Sequence, residues 1–70
     1  MTAQEKLALI EEVLRLQPNS LKEDIALNTL QTWDSITILS LQIRLTAIKP
    51  DLQFDDLFGC DTAGEICQLF

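Results

Sequence analysis

The chain has 70 residues, with eleven acids against five bases, a formal charge of -6, no histidine and two cysteines. This length gives one small domain spanning residues 1–70, with too little core for elaborate catalytic machinery. The charge argues against binding nucleic acid, which depends on Lys and Arg displacing counterions from phosphates. With 47% apolar and 23% charged residues, the sequence is too hydrophobic for a disordered chain and is expected to fold.

Thr2 and Glu5 have the Thr-x-x-Glu spacing in which two side chains satisfy free amides at a helix start, so the spacing predicts a first helix from there. Leu7, Ile10 and Leu14 recur at helical intervals, and Leu9, Val13 and Leu16 widen the apolar stripe. Glu11 and Arg15 are set for an i,i+4 pair, and Pro18 is expected to stop the helix, since it lacks the amide donor and clashes with the preceding turn. The start Met-Thr-Ala-Gln-Glu-Lys has no basic region followed by an apolar run. No stretch reaches membrane-spanning length, so a cytoplasmic protein without a membrane span is expected.

Residues 17–34 show no sustained period, yet Leu21, Ile25, Leu27, Leu30 and Trp33 are too many apolar residues for a free linker. The prediction is a long loop packed onto the helices. Ser20 and Glu23 repeat the capping spacing and predict a short helical turn inside it.

Residues 39–47 alternate strictly between apolar and polar, which taken alone is a strand signal. Against it, Asp34 is a good N-cap, the run from Ile36 to Ile48 is long for a strand in so small a domain, and no second strand is available to pair with it. Helix is therefore predicted from Ser35 to Lys49. On a helix the alternation resolves into two stripes: Ile36, Leu39, Ile43 and Ala47 on one face, Ile38, Leu41, Leu45 and Ile48 roughly opposite. One faces the core; the other is either covered by the rest of the domain or left as an apolar contact surface.

Pro50 closes this helix, and Asp55-Asp56-Leu57-Phe58 reads as a brief helical turn ended by Gly59. Thr62 and Glu65 form a third capping spacing, opening a short last helix with Ile66, Leu69 and Phe70 on its apolar face. Cys60 and Cys67 suggest neither a disulfide framework nor a metal set, and Cys67 is expected to pack as a small hydrophobe. No Ser-His or Cys-His constellation exists, so the chain is not expected to be an enzyme.

Trp33-Asp34-Ser35-Ile36 resembles the phosphopantetheine attachment motif of the acyl carrier protein family, in which Asp-Ser followed by Leu or Ile opens the second helix. Asp61-Thr62-Ala63-Gly64-Glu65-Ile66 is similar to that family's start of the last helix. The order of first helix, long apolar loop, motif at a helix start and short closing helices matches over essentially the whole chain. The resemblance implies an all-α, carrier-like bundle of three main helices plus a short one before the last. It implies a 4'-phosphopantetheine arm on Ser35, attached by a phosphopantetheinyl transferase, whose terminal thiol carries an acyl or aminoacyl group as a thioester. The partners it implies are acyl-loading, synthase or transferase enzymes that meet a monomeric carrier through Asp34, Ile36, Leu39 and Ile43. It leaves Leu41, Leu45, Ile48 and Ile38 to the core with Ile10, Leu14 and Ile66.

A serine at a helix start suits that chemistry, because free amides and the helix dipole favour a phosphate placed there. Two departures from the family bear on partners. Residues 36–49 contain no acid but do contain Arg44 and Lys49, and Thr37, Ser40 and Thr46 stand where acids would be expected. Recognition through apolar contact in a specialised lipid or secondary-metabolite pathway, such as polyketide synthesis, therefore fits better than a general carrier of fatty acid biosynthesis. The two-glycine pattern of peptidyl carrier domains is also absent, which favours a discrete carrier. The alternative reading is a small helical interaction module of the same fold that is never modified.

Overall fold

At each of the four α-helix starts a side chain bonds back to the backbone. Thr2 Oγ1 accepts from the Glu5 amide, and Glu5 accepts from the Thr2 amide. Asp34 and Thr37 exchange the same pair of bonds, as do Thr62 and Glu65, while Asp56 accepts from the Gln53 amide. In the computed structural model, which describes all 70 residues, these caps open α1 (Ala3–Leu14), α2 (Ser35–Thr46), α3 (Phe54–Phe58) and α4 (Ala63–Cys67). A 3-10 turn, Leu27–Thr29, lies in the long loop between α1 and α2. The protein is an all-α small bundle of two 12-residue and two five-residue helices, and none is long and apolar enough to cross a membrane.

The helix ends depart from the sequence expectations. α1 ends at Leu14, four residues before Pro18, because Arg15 turns left-handed at φ 59°. The Arg15 amide bonds to the Glu12 carbonyl at 3.3 Å and the Leu16 amide to the Glu11 carbonyl at 2.9 Å, a Schellman closure made without glycine. The expected Glu11–Arg15 pair does not form. Glu11 is buried and accepts the Leu21 amide at 2.9 Å, and the ion pair of the chain joins Arg44 to Glu12 instead. The helical turn expected at Ser20–Glu23 is also absent; Ser20 Oγ donates to the Gln17 carbonyl, and the turn forms at Leu27–Thr29.

The core gathers Ile10 and Leu14 of α1, Leu21 and Leu27 of the loop, Ile38, Leu41 and Leu45 of α2, Leu52, Leu57 of α3, and Ala63, Ile66 and Cys67 around α4. Each large side chain among them contributes about 1.5–3 kcal/mol of burial. The alternating run at 39–47 is helical through Thr46, and its inner stripe supplies the α2 contribution. Ile48, expected in that stripe, is 49% exposed; it lies past the end of α2 at Thr46, in the closing turn where the Ile48 and Lys49 amides both bond to the Leu45 carbonyl.

The loop is fastened to α4 by backbone bonds. Leu27 donates to the Asp61 carbonyl at 2.8 Å, Ala63 to that of Ile25 at 3.2 Å and Gly64 to that of Glu23 at 2.8 Å, with an isolated antiparallel bridge between Ala26 and Thr62. Gly64 permits this approach: a Cβ there would lie 2.9 Å from the Glu23 carbonyl oxygen, inside van der Waals contact. The small residue in the Thr-Ala-Gly-Glu stretch thus lets the loop seat against the start of α4.

Candidate functional site at the start of α2

Ser35 is the first residue of α2 and is exposed. Asp34, the N-cap, is extended at φ -139° and accepts the Thr37 amide at 2.9 Å. Thr37 Oγ1 accepts the Asp34 amide at 3.1 Å and donates to the Thr32 carbonyl. These bonds fix the turn on both sides of Ser35 and leave its hydroxyl out. The bond from the Thr37 amide, opposed by partial desolvation, holds the Asp34 carboxyl below its usual range, so the cap stays ionised at neutral pH.

Ser35 opens onto a cleft of about 420 Å³ between the start of α2, the loop and the α3–α4 connection. Trp33, Ile38 and Phe58 give it apolar walls, and Asn28, Asp61 and Thr62 line the remainder with polar groups. No Lys or Arg lines it. A phosphate on Ser35 would therefore rely on the α2 amides and on solvent, with the Asp34 and Asp61 carboxylates as like-charged neighbours. The exposed Ser35, the helix start and the adjoining cleft leave room for a phosphopantetheine arm, whose phosphate would find no basic side chain among the cleft residues.

Cys60 also lines this cleft, a neighbour of Ser35 that sequence reasoning had no means to find. Burial, followed by the nearby charges of Glu65, Asp56 and Asp61, pushes its thiol up to about 11, and Sγ donates to the Asp56 carbonyl at 3.2 Å. It is a neutral, weakly nucleophilic thiol at physiological pH.

The three apolar residues expected to meet partners all point outward: Ile36 is 75% exposed, Leu39 48% and Ile43 62%. Asp34, Ser35 and Ile36 stand together at the helix start, while Leu39 and Ile43 follow one and two turns along. Phe58, which also lines the cleft and is 63% exposed, adds apolar surface beside Ser35 that its place in a short helical turn does not reveal. No family model, curated protein or solved structure matches the chain.

Proposed function

We propose that this chain is a carrier protein whose Ser35 receives a 4'-phosphopantetheine arm and presents acyl groups to partner enzymes. The observation that carries the reading is the placement of an exposed hydroxyl on the first residue of a capped helix, beside a cleft of about 420 Å³. When attached, the arm supplies a thiol that holds the acyl group as a thioester. The chain's own residues do the rest. Asp34 and Thr37 hold the turn that displays Ser35 to a phosphopantetheinyl transferase, and Ile36, Leu39 and Ile43 offer an apolar face to the loading, synthase or transferase enzymes that follow. Cys60, kept protonated, is a poor nucleophile towards a thioester held nearby. An α2 without acids supports a specialised pathway with dedicated partners over bulk fatty acid synthesis.

Co-expression with a phosphopantetheinyl transferase of broad specificity, followed by intact-mass measurement, tests this. The chain should gain the mass of one arm, and Ser35→Ala should gain none; a wild-type chain that stays unmodified overturns the reading. The exposed α2 stripe also favours a second reading, an unmodified interaction module, which is what remains if binding through Ile36, Leu39 and Ile43 persists without the arm.

A further inference from the structure

The outer face of α2 continues into a second groove, of about 420 Å³, where the end of α1 meets α2. Val13, Ser40 and Ile43 line it together with Arg15, Arg44 and Glu12. Arg15 reaches it from the left-handed residue that ends α1, and Arg44 holds the Glu12 carboxylate at 3.6 Å, both side chains exposed. All eleven acids of the chain lie outside residues 35–49, whose charged residues are Arg44 and Lys49. The exposed apolar stripe of this acidic protein therefore sits in its one basic stretch.

We infer that this face docks an acidic protein surface, whose apolar side chains cover Ile36, Leu39 and Ile43 while a carboxylate enters between Arg15 and Arg44. Glu12 demonstrates that Arg44 takes a carboxylate at this place, and an exposed pair of that kind is weak enough to be exchanged for a partner's. At physiological salt, charges more than about 8 Å away are screened, so the local basic stretch, rather than the net charge, decides which surface seats here. An anionic membrane is the poorer fit: lipid recognition uses clusters of about four to eight bases, and a flat bilayer would also meet the acids around the stripe.

The test uses the isotopically labelled full chain and two helical peptides with the same leucine face, one flanked by glutamates and one by lysines, followed by NMR. The glutamate peptide should shift the amides of residues 36–47 and Arg15. It should bind there about tenfold more tightly than the lysine peptide, since two exposed pairs at about a factor of three each multiply to about ten. Glu12→Gln should tighten glutamate-peptide binding and Arg44→Gln should weaken it, with Arg15→Gln as a second variant read the same way. Ser35→Ala should bind as the wild type does, which separates this outcome from that of the modification experiment. The inference is overturned by tighter binding of the lysine peptide at α2, or by no shift there from either peptide. It is equally overturned by binding of the chain to phosphatidylserine-containing vesicles through this face, or by concentration-dependent shifts of the same residues without peptide, which would assign the face to a second copy.

Discussion

Replacing Gly64 with alanine puts a methyl group against the strand of loop that walls the Ser35 cleft. The new Cβ would meet the Glu23 carbonyl oxygen at 2.9 Å and the Glu23 Cβ at 3.2 Å, and that same carbonyl accepts the Gly64 amide at 2.8 Å. Backbone at that distance has no flexible end to swing aside, so the loop must retreat. Overpacking of this kind costs about 1–3 kcal/mol, and the greater helix preference of alanine over glycine returns about 1 kcal/mol at most. Because the contact is with backbone, the overpacking cost falls in the upper part of its range, about 2–3 kcal/mol. This leaves a net loss of about 1–2 kcal/mol, and each kcal/mol lowers the melting temperature of a domain this size by roughly 4–8 °C.

Urea titration of Gly64→Ala against wild type measures the loss, and amide exchange locates it. The Leu27, Ala63 and Gly64 amides, which bond across the loop–α4 seam, should lose protection before those of α2. Because Ala26 and Asn28 line the cleft, the retreat should also loosen the wall facing Ser35 while α2 keeps its cap. An alanine variant as stable as wild type, with the seam still protected, would refute the argument that close approach is what requires glycine here.

Glu11→Ala should cost about 1–3 kcal/mol in urea titration, since it leaves the buried Leu21 amide without an acceptor; Glu11→Gln, which retains an acceptor oxygen, should cost clearly less, and equal losses would count against the bond. The Asp34 carboxyl is held low by the Thr37 amide, so its folded pKa lies below its unfolded one. Its contribution is complete above the unfolded value and is lost as pH falls through the folded one. Melting temperatures of wild type and Asp34→Ala should therefore differ by a constant amount from neutral pH to about 5 and converge below about 4; a gap unchanged at lower pH would exclude the charge as its source. Cys60, pushed up to about 11, should alkylate with iodoacetamide at pH 8 far more slowly than a free thiol, and mass spectrometry showing rapid labelling would show that the thiol is not so protected.

Helix starts were legible in the sequence because a capping pair is local: Thr2 with Glu5, and Thr62 with Glu65, bond as their three-residue spacing predicts. The same spacing at Ser20 and Glu23 misleads, since the Ser20 hydroxyl is engaged by another local partner, the Gln17 carbonyl, and the Glu23 carbonyl takes the distant Gly64 amide. Helix ends were less legible. Nothing within residues 11–18 announces that Glu11 turns inward to hold Leu21, or that Arg15 takes the left-handed turn where glycine is usual. The inner and outer stripes of α2 followed from periodicity up to Ile43 and Leu45, and failed at Ile48 because periodicity does not say where a helix stops. The cleft neighbours Cys60 and Asp61 and the Arg15–Arg44 groove are products of packing between distant segments, which no local pattern encodes.

On the proposed reading one helix carries both the hydroxyl to be modified and the docking stripe, and this fixes how the two would cooperate. Ser35 and Ile43 are eight residues apart on α2, or about 12 Å at the α-helical rise, with Leu39 between them on the same face. A partner seated on Leu39 and Ile43, with its carboxylate between Arg15 and Arg44, is therefore held at a set distance from Ser35 and on the side from which the hydroxyl is reached. Apolar contact then supplies affinity and the arginines supply orientation, a division of labour that charged rims commonly serve. It also keeps the charged contacts at the far end of the stripe from Asp34 and Asp61, whose carboxylates would repel an acidic partner brought up to the serine directly.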